Sequence, residues 1–223
     1  MLTSPLLLGA LASGLRWIHL PLAAFWFAGY FAFNAVSLWL KSGRKARFLR
    51  PVQVYAALAA VLALVTAALD PGLLRWAPWF VVPLGVGLWA AAHRRERDLL
   101  AGVTTVIGSA LMTIVAYDAG TGLDLRRAIG LAVGQFLYFA GTVFYVKSMI
   151  RERDNPAFRR GSVIFHAAAV LLVAPFAGWV ALVFVALTIR AWWVPRLGLT
   201  PKQIGIAEIV ATGAVALVSL ITV

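Results

Sequence analysis

Apolar residues run along this chain in long unbroken blocks separated by short basic stretches, with no alternation of the kind a strand would need. A block buried in lipid must be helical, because hydrocarbon offers backbone amides no outside partner. Eight full spans follow, near 17–40, 52–69, 73–92, 99–117, 128–146, 161–175, 177–193 and 203–222. Between Gly161 and Trp193 the first charge is Arg190. As one helix that stretch would measure about 50 Å against a hydrocarbon core of about 30 Å, so Pro175 and Gly178 are read as a turn between two shorter helices. Pro78 and Pro83 lie inside the 73–92 block and predict a kink. Residues 2–13, LTSPLLLGALAS, reach only about 18 Å as a helix. They are a truncated first helix or a re-entrant piece; a signal peptide would need a basic leading region that is absent.

The composition agrees. Of 223 residues 62% are hydrophobic and 13% charged, against about 45–50% and about 25% in a soluble globule. The chain therefore reads as all-α, a polytopic transmembrane bundle forming one integral membrane domain over 1–223. Without cysteine there is no disulfide, thiolate metal site or cysteine nucleophile. Twenty Lys and Arg against eight Asp and Glu give a net charge of +12, which in so apolar a chain suits anionic lipid headgroups and not nucleic acid. Sixteen of the twenty fall on alternate linkers, chiefly the loops 41–51 and 147–160 and the stretches around 94–97 and 190–202. That bias puts these linkers on the cytoplasmic side of the membrane.

Polar groups inside spans are costly, so they are informative. Asn34, His166 and Glu208 each lie about 7–10 Å below the basic face by helical rise, which predicts a polar cavity opening to the cytoplasm. Gln135, Tyr138 and Tyr145 would line its deeper wall. The alternative is that each polar residue bonds a neighbouring helix, as bundles do routinely; Glu208 in addition needs a partner for its charge. His19 and His93 differ in depth from His166, which argues against a bis-histidine haem. Asp98, Asp118 and Asp124 read as loop charges. No metal-binding, phosphate-loop or serine-hydrolase pattern appears. In the basic loops Arg44, Lys45, Arg47, Arg50, Lys147, Arg151 and Arg153 are candidates for phosphate or headgroup contacts, as well as topology signals. Glu152 and Asp154 either pair with neighbouring arginines or, in an enzyme, would hold Mg²⁺ beside a phosphate. Phe-Ala-Gly precedes both large loops, at 27–29 and 139–141, a weak internal repeat.

Several blocks carry a resemblance over nearly the whole chain: PLLLGALASGLRWIHLPL (5–22), SLWLKSGRKARFLRP (37–51), WAAAHRRERDLL (89–100) and LYFAGTVFYVKSMIRERDNP (137–156) with His166 after it. The sequence resembles the YwiC-like family of bacterial integral membrane proteins. Members of that family usually begin with a His-Gly-Ala-Trp segment ahead of the equivalent of Met1. The resemblance therefore implies a reading frame that continues upstream and a total of nine helices. Where the family often carries Asn-Asp, this chain has Ala101-Gly102. A more distant similarity is to the UbiA-type prenyltransferases, through Asn34 and Arg50-Pro51. Leu38 and Ser42 stand where that superfamily has metal-binding aspartates, so its Mg²⁺-dependent chemistry is in doubt even if the helix arrangement is shared. Three functions remain open: binding of an anionic lipid or isoprenoid in the cavity, UbiA-like polyprenyl transfer with an altered metal site, and proton-coupled transport through Glu208 and His166.

Overall fold

The computed structural model describes residues 1–175 and 178–222. Among the described residues there are nine helices and no strand: α1 (Ser4–Ser13), α2 (His19–Lys41), α3 (Leu49–Leu69), α4 (Val81–Ala92), α5 (Leu99–Asp118), α6 (Leu125–Ile150), α7 (Pro156–Val173), α8 (Gly178–Trp193) and α9 (Pro201–Thr222). With the short 3-10 turns that continue some of them, eight are long and apolar enough to cross a membrane, while α1 has 10 residues. The pattern of eight full spans and one short leading helix is therefore what the chain forms. α7 ends at Val173 and α8 starts at Gly178, so the long apolar run is divided. Part of the expected turn, residues 176 and 177, lies outside the described residues, as does the expected first residue of the seventh span.

The 73–92 block differs in kind from a kinked α-helix. Pro71–Phe80 is a 3-10 helix, and α-geometry begins only at Val81. Pro78 has no N–H and its ring would strike a carbonyl one α-turn back, which disfavours α-geometry through this segment. Pro83 then falls in the first turn of α4, where a missing donor costs nothing. The Asp70 carboxylate starts the segment by accepting the Gly72 N–H at 3.1 Å.

The described chain falls into two compact units, Leu2–Ala128 and the residues from Ile129 onward. In the first, α1 lies along α5, and Gly9 makes the approach close: a Cβ there would come within 2.9 Å of Ala116 Cβ and of the Tyr117 nitrogen, and would strike the Thr113 carbonyl. The core beside this contact is Leu6, Ala10, Ile18, Leu22, Leu73, Met112, Val115 and Ala116. Gly14, at φ +89°, turns the chain out of α1. The Ser13 carbonyl that this turn leaves without a helical donor accepts both the Thr121 N–H at 3.0 Å and the Thr121 hydroxyl at 2.7 Å.

His19, at the expected edge of α2, is a structural pin. Its Nε2 lies 2.8 Å from the Ala116 carbonyl, which can only accept, while Nδ1 lies 2.9 Å from the Arg16 N–H. A neutral ring with the proton on Nε2 satisfies both contacts. Asp118 is not a free loop charge: it ends α5, where Arg75 pairs with it and Trp76 Nε1 donates to it at 2.8 Å.

In the second unit α7 packs on α8 and α8 on α9. Two helix starts fix the phase of the residues that matter. Asn155 caps α7, its side chain accepting the Phe158 N–H at 3.0 Å with Pro156 behind it. Thr200 and Gln203 form a reciprocal capping box at the start of α9: Gln203 Oε1 accepts the Thr200 N–H at 2.9 Å, and the Gln203 N–H reaches Thr200 Oγ1 at 3.4 Å.

Candidate functional site

The second unit gathers its polar side chains around one ion pair. On α6, Gln135, Tyr138, Thr142 and Tyr145 recur at helical spacing and form a stripe. Gln135, Tyr138 and Tyr145 are buried to 1–2% exposure. From α9 comes Glu208. Its Oε1 accepts from Arg190 Nη1 of α8 at 2.6 Å, and its Oε2 accepts from Thr142 Oγ1 at 2.9 Å with the Tyr138 hydroxyl oxygen 3.4 Å away. One turn on, the Thr212 hydroxyl donates to the Glu208 carbonyl at 2.7 Å, leaving its oxygen to accept the Tyr138 proton at 2.9 Å. The Arg190 guanidinium stands over the Tyr145 ring, 4.2 Å from its centroid. Both charged side chains are about 85% covered.

A carboxylate with two donors and a guanidinium on an aromatic face is how a buried ion pair becomes tolerable: the Coulomb attraction alone does not offset desolvation, and the added contacts supply the rest. Glu208 thus has the partner its sequence position called for. That partner was not legible as such, because Arg190 counts among the basic flank residues when charges are sorted by linker. A signal was present in Trp192-Trp193, which follow it: an interfacial aromatic pair places an Arg one turn earlier inside the span. Thr142 and Thr212 carried no such signal.

His166 of α7 belongs to the same unit and is buried. Its Nδ1 donates to the Ser162 carbonyl at 2.7 Å, and Nε2 lies so close to Gly141 that a Cβ there would sit 2.9 Å away. Gly141 is the glycine of the second Phe-Ala-Gly; its counterpart Gly29 has nothing within 4 Å of where a Cβ would stand. The two copies of the repeat therefore do different things. Gly141→Ala is expected to displace His166 and lower stability by about 1–3 kcal/mol. Gly29→Ala, by contrast, leaves stability unchanged or raises it by up to about 1 kcal/mol. Paired thermal melts of the two variants check this.

The other sequence candidates are not among these contacts. Asn34 is exposed on α2, in the first unit, between the buried neighbours Ala35 and Ser37 on the following turn and the half-covered Phe33. Arg44, Lys45, Arg47 and Arg50 are exposed in and after the loop that follows α2, with Arg47 4.9 Å above the Phe48 ring and Arg44 5.9 Å from that of Trp39. Lys147 stands 5.8 Å from the Phe158 ring, and Arg151 and Arg153 are exposed. Glu152 accepts from Asn155 Nδ2 at 3.0 Å. At the basic end of the first unit Lys41 bonds Glu96 at 2.6 Å. Partial burial pushes the Glu96 carboxyl upward, but the Lys41 hydrogen bond and charge outweigh it and hold the group below its usual range. No group of three or more His, Asp or Glu that could hold a metal ion comes together among the described residues.

Eight apolar crossings and an ion pair enclosed by the last four helices define a polytopic helical membrane protein with a buried polar centre. Within that class the chain belongs to the YwiC-like family: a sequence model described as "YwiC-like protein" matches residues 1–117. It is 32% identical over 212 residues to "Uncharacterized protein YwiC" of Bacillus subtilis (strain 168), covering 94% of this chain and 88% of that relative. It is also 28% identical over 210 residues to an "Uncharacterized protein" of Haemophilus influenzae, covering 93% and 88%. No solved structure matches.

Proposed function

We propose that this chain is a multi-pass protein of the bacterial inner membrane that holds an anionic lipid-like or isoprenoid molecule against the polar centre of α6–α9, with its basic loops in the cytoplasm. The observation that carries this reading is the enclosed cluster of Tyr138, Thr142, Tyr145, Arg190 and Glu208. Ionisable groups inside spans are expensive and are kept mostly for function. The excess of Lys and Arg on alternate linkers supports the orientation. Exposed Arg44, Arg47, Arg151 and Arg153 then attract anionic headgroups to that side. The test is native mass spectrometry of the full chain from mild detergent. A stoichiometric anionic amphiphile is expected to copurify, and its retention is expected to fall when Arg44, Arg47, Arg151 and Arg153 are changed together to Gln. A chain that appears bare under conditions where a known lipid-binding membrane protein keeps its lipid would refute the reading.

A second reading, proton-coupled transport, is favoured by one feature: Glu208, Arg190 and His166 belong to the same enclosed unit. It requires that Glu208→Gln abolish proton-linked flux in vesicles while the protein remains folded.

A further inference from the structure

We propose that the unused edge of Arg190 is the seat of a phosphate-type oxyanion. The proposal rests on the reading of a bound anionic amphiphile and says where the anionic end of that molecule goes. Arg190 commits only Nη1 to Glu208; Nε and Nη2 are buried and have no hydrogen-bond partner among the described residues. These two atoms are not an arbitrary pair. Nε–H and the adjacent Nη2–H lie on one side of the guanidinium plane and point the same way, the fork that meets two oxygens of one phosphate or carboxylate. Buried donors of a charged group are costly when left unmade. The Tyr145 ring, 4.2 Å away, covers one face of the plane, so an anion meets Arg190 edge-on.

Depth favours phosphate. Arg190 is three residues before the end of α8 at Trp193, about 4.5 Å by helical rise. Trp192 and Trp193 there are half-exposed, as interfacial tryptophans are at headgroup level. Glu208 meets the guanidinium at Nη1 and leaves the Nε–Nη2 edge uncommitted. Two sources supply this chemistry, a lipid headgroup and free phosphate.

The test titrates the full chain in nonionic detergent with inorganic phosphate and, separately, with a short-chain phosphatidate. Arg190→Lys keeps the charge for Glu208 but has no planar fork. It is expected to weaken binding by about tenfold or more, the loss of one charge-assisted hydrogen bond. If both probes bind and both weaken, the seat takes phosphate itself; if only phosphatidate binds and weakens, it takes a lipid headgroup. Arg190→Met with Glu208→Met removes both charges together, and is expected to recover most of the stability that either single change loses and to bind neither probe. It serves the same purpose if the lysine variant does not fold. Parent-like binding in these variants, or no binding of either probe by the parent, overturns the proposal. The two levels separate cleanly. A copurified amphiphile retained equally by Arg190→Lys removes the seat and leaves the amphiphile reading. Arg190-dependent phosphate binding in a chain that retains no amphiphile does the reverse.

Discussion

Changing Glu208 alone to alanine is expected to lower stability by about 3–5 kcal/mol, because it leaves the Arg190 guanidinium buried without its counter-charge. Changing Arg190 alone to Met strands the carboxylate in the same way, although Thr142 still donates to it, so its loss is expected at the lower end of that range. The two changes made together, both to Met, recover most of the loss, since a neutral pair of similar volume removes both desolvation costs at once. The diagnostic is this coupling. Melting midpoints of the parent, both single variants and the double variant in one detergent give it directly; additive losses would mean that the pair is not enclosed as described.

The second large effect is expected at the other end of the chain. Gly9→Val drives a branched side chain into the Thr113 carbonyl and against Ala116 Cβ, atoms of the α5 backbone and its core face that cannot swing aside. Overpacking of this kind costs about 1–3 kcal/mol. It acts on a helix of 10 residues, too short to persist alone in water and held by its contact with α5. Protease accessibility of the leading residues and the melting midpoint are expected to change together, whereas Gly85→Val, at a position with open space around its Cβ, changes neither.

The crossings were legible because lipid imposes one requirement, continuous apolar length, and that requirement is written linearly in the sequence. The same logic exposed α1 as too short and divided the 161–193 run. What length could not convey was rotation about the helix axis. Asn34, His166 and Glu208 were grouped by their distance from the basic end, but a shift of one residue turns a side chain by about 100°. On α2, Asn34 is exposed and the next residue, Ala35, is buried. For Glu208 the need for a partner followed from its charge, yet nothing in the sequence chose Arg190, 18 residues away, over any other cation. The 3-10 geometry of Pro71–Phe80 was likewise hidden. Proline forbids some helical hydrogen bonds, but the shape adopted instead depends on what the flanking residues pack against.

The lashing of Thr121 to Ser13 has a mechanical consequence. A carbonyl oxygen has two lone pairs, and here both are occupied by donors of the same residue. The tail of α5 and the tail of α1 are thus one joint, with no capacity left for solvent on that oxygen. Release of α1 must uncover the Thr121 amide in the same event, so deuterium uptake at that single nitrogen clocks the detachment of a helix too short to anchor itself.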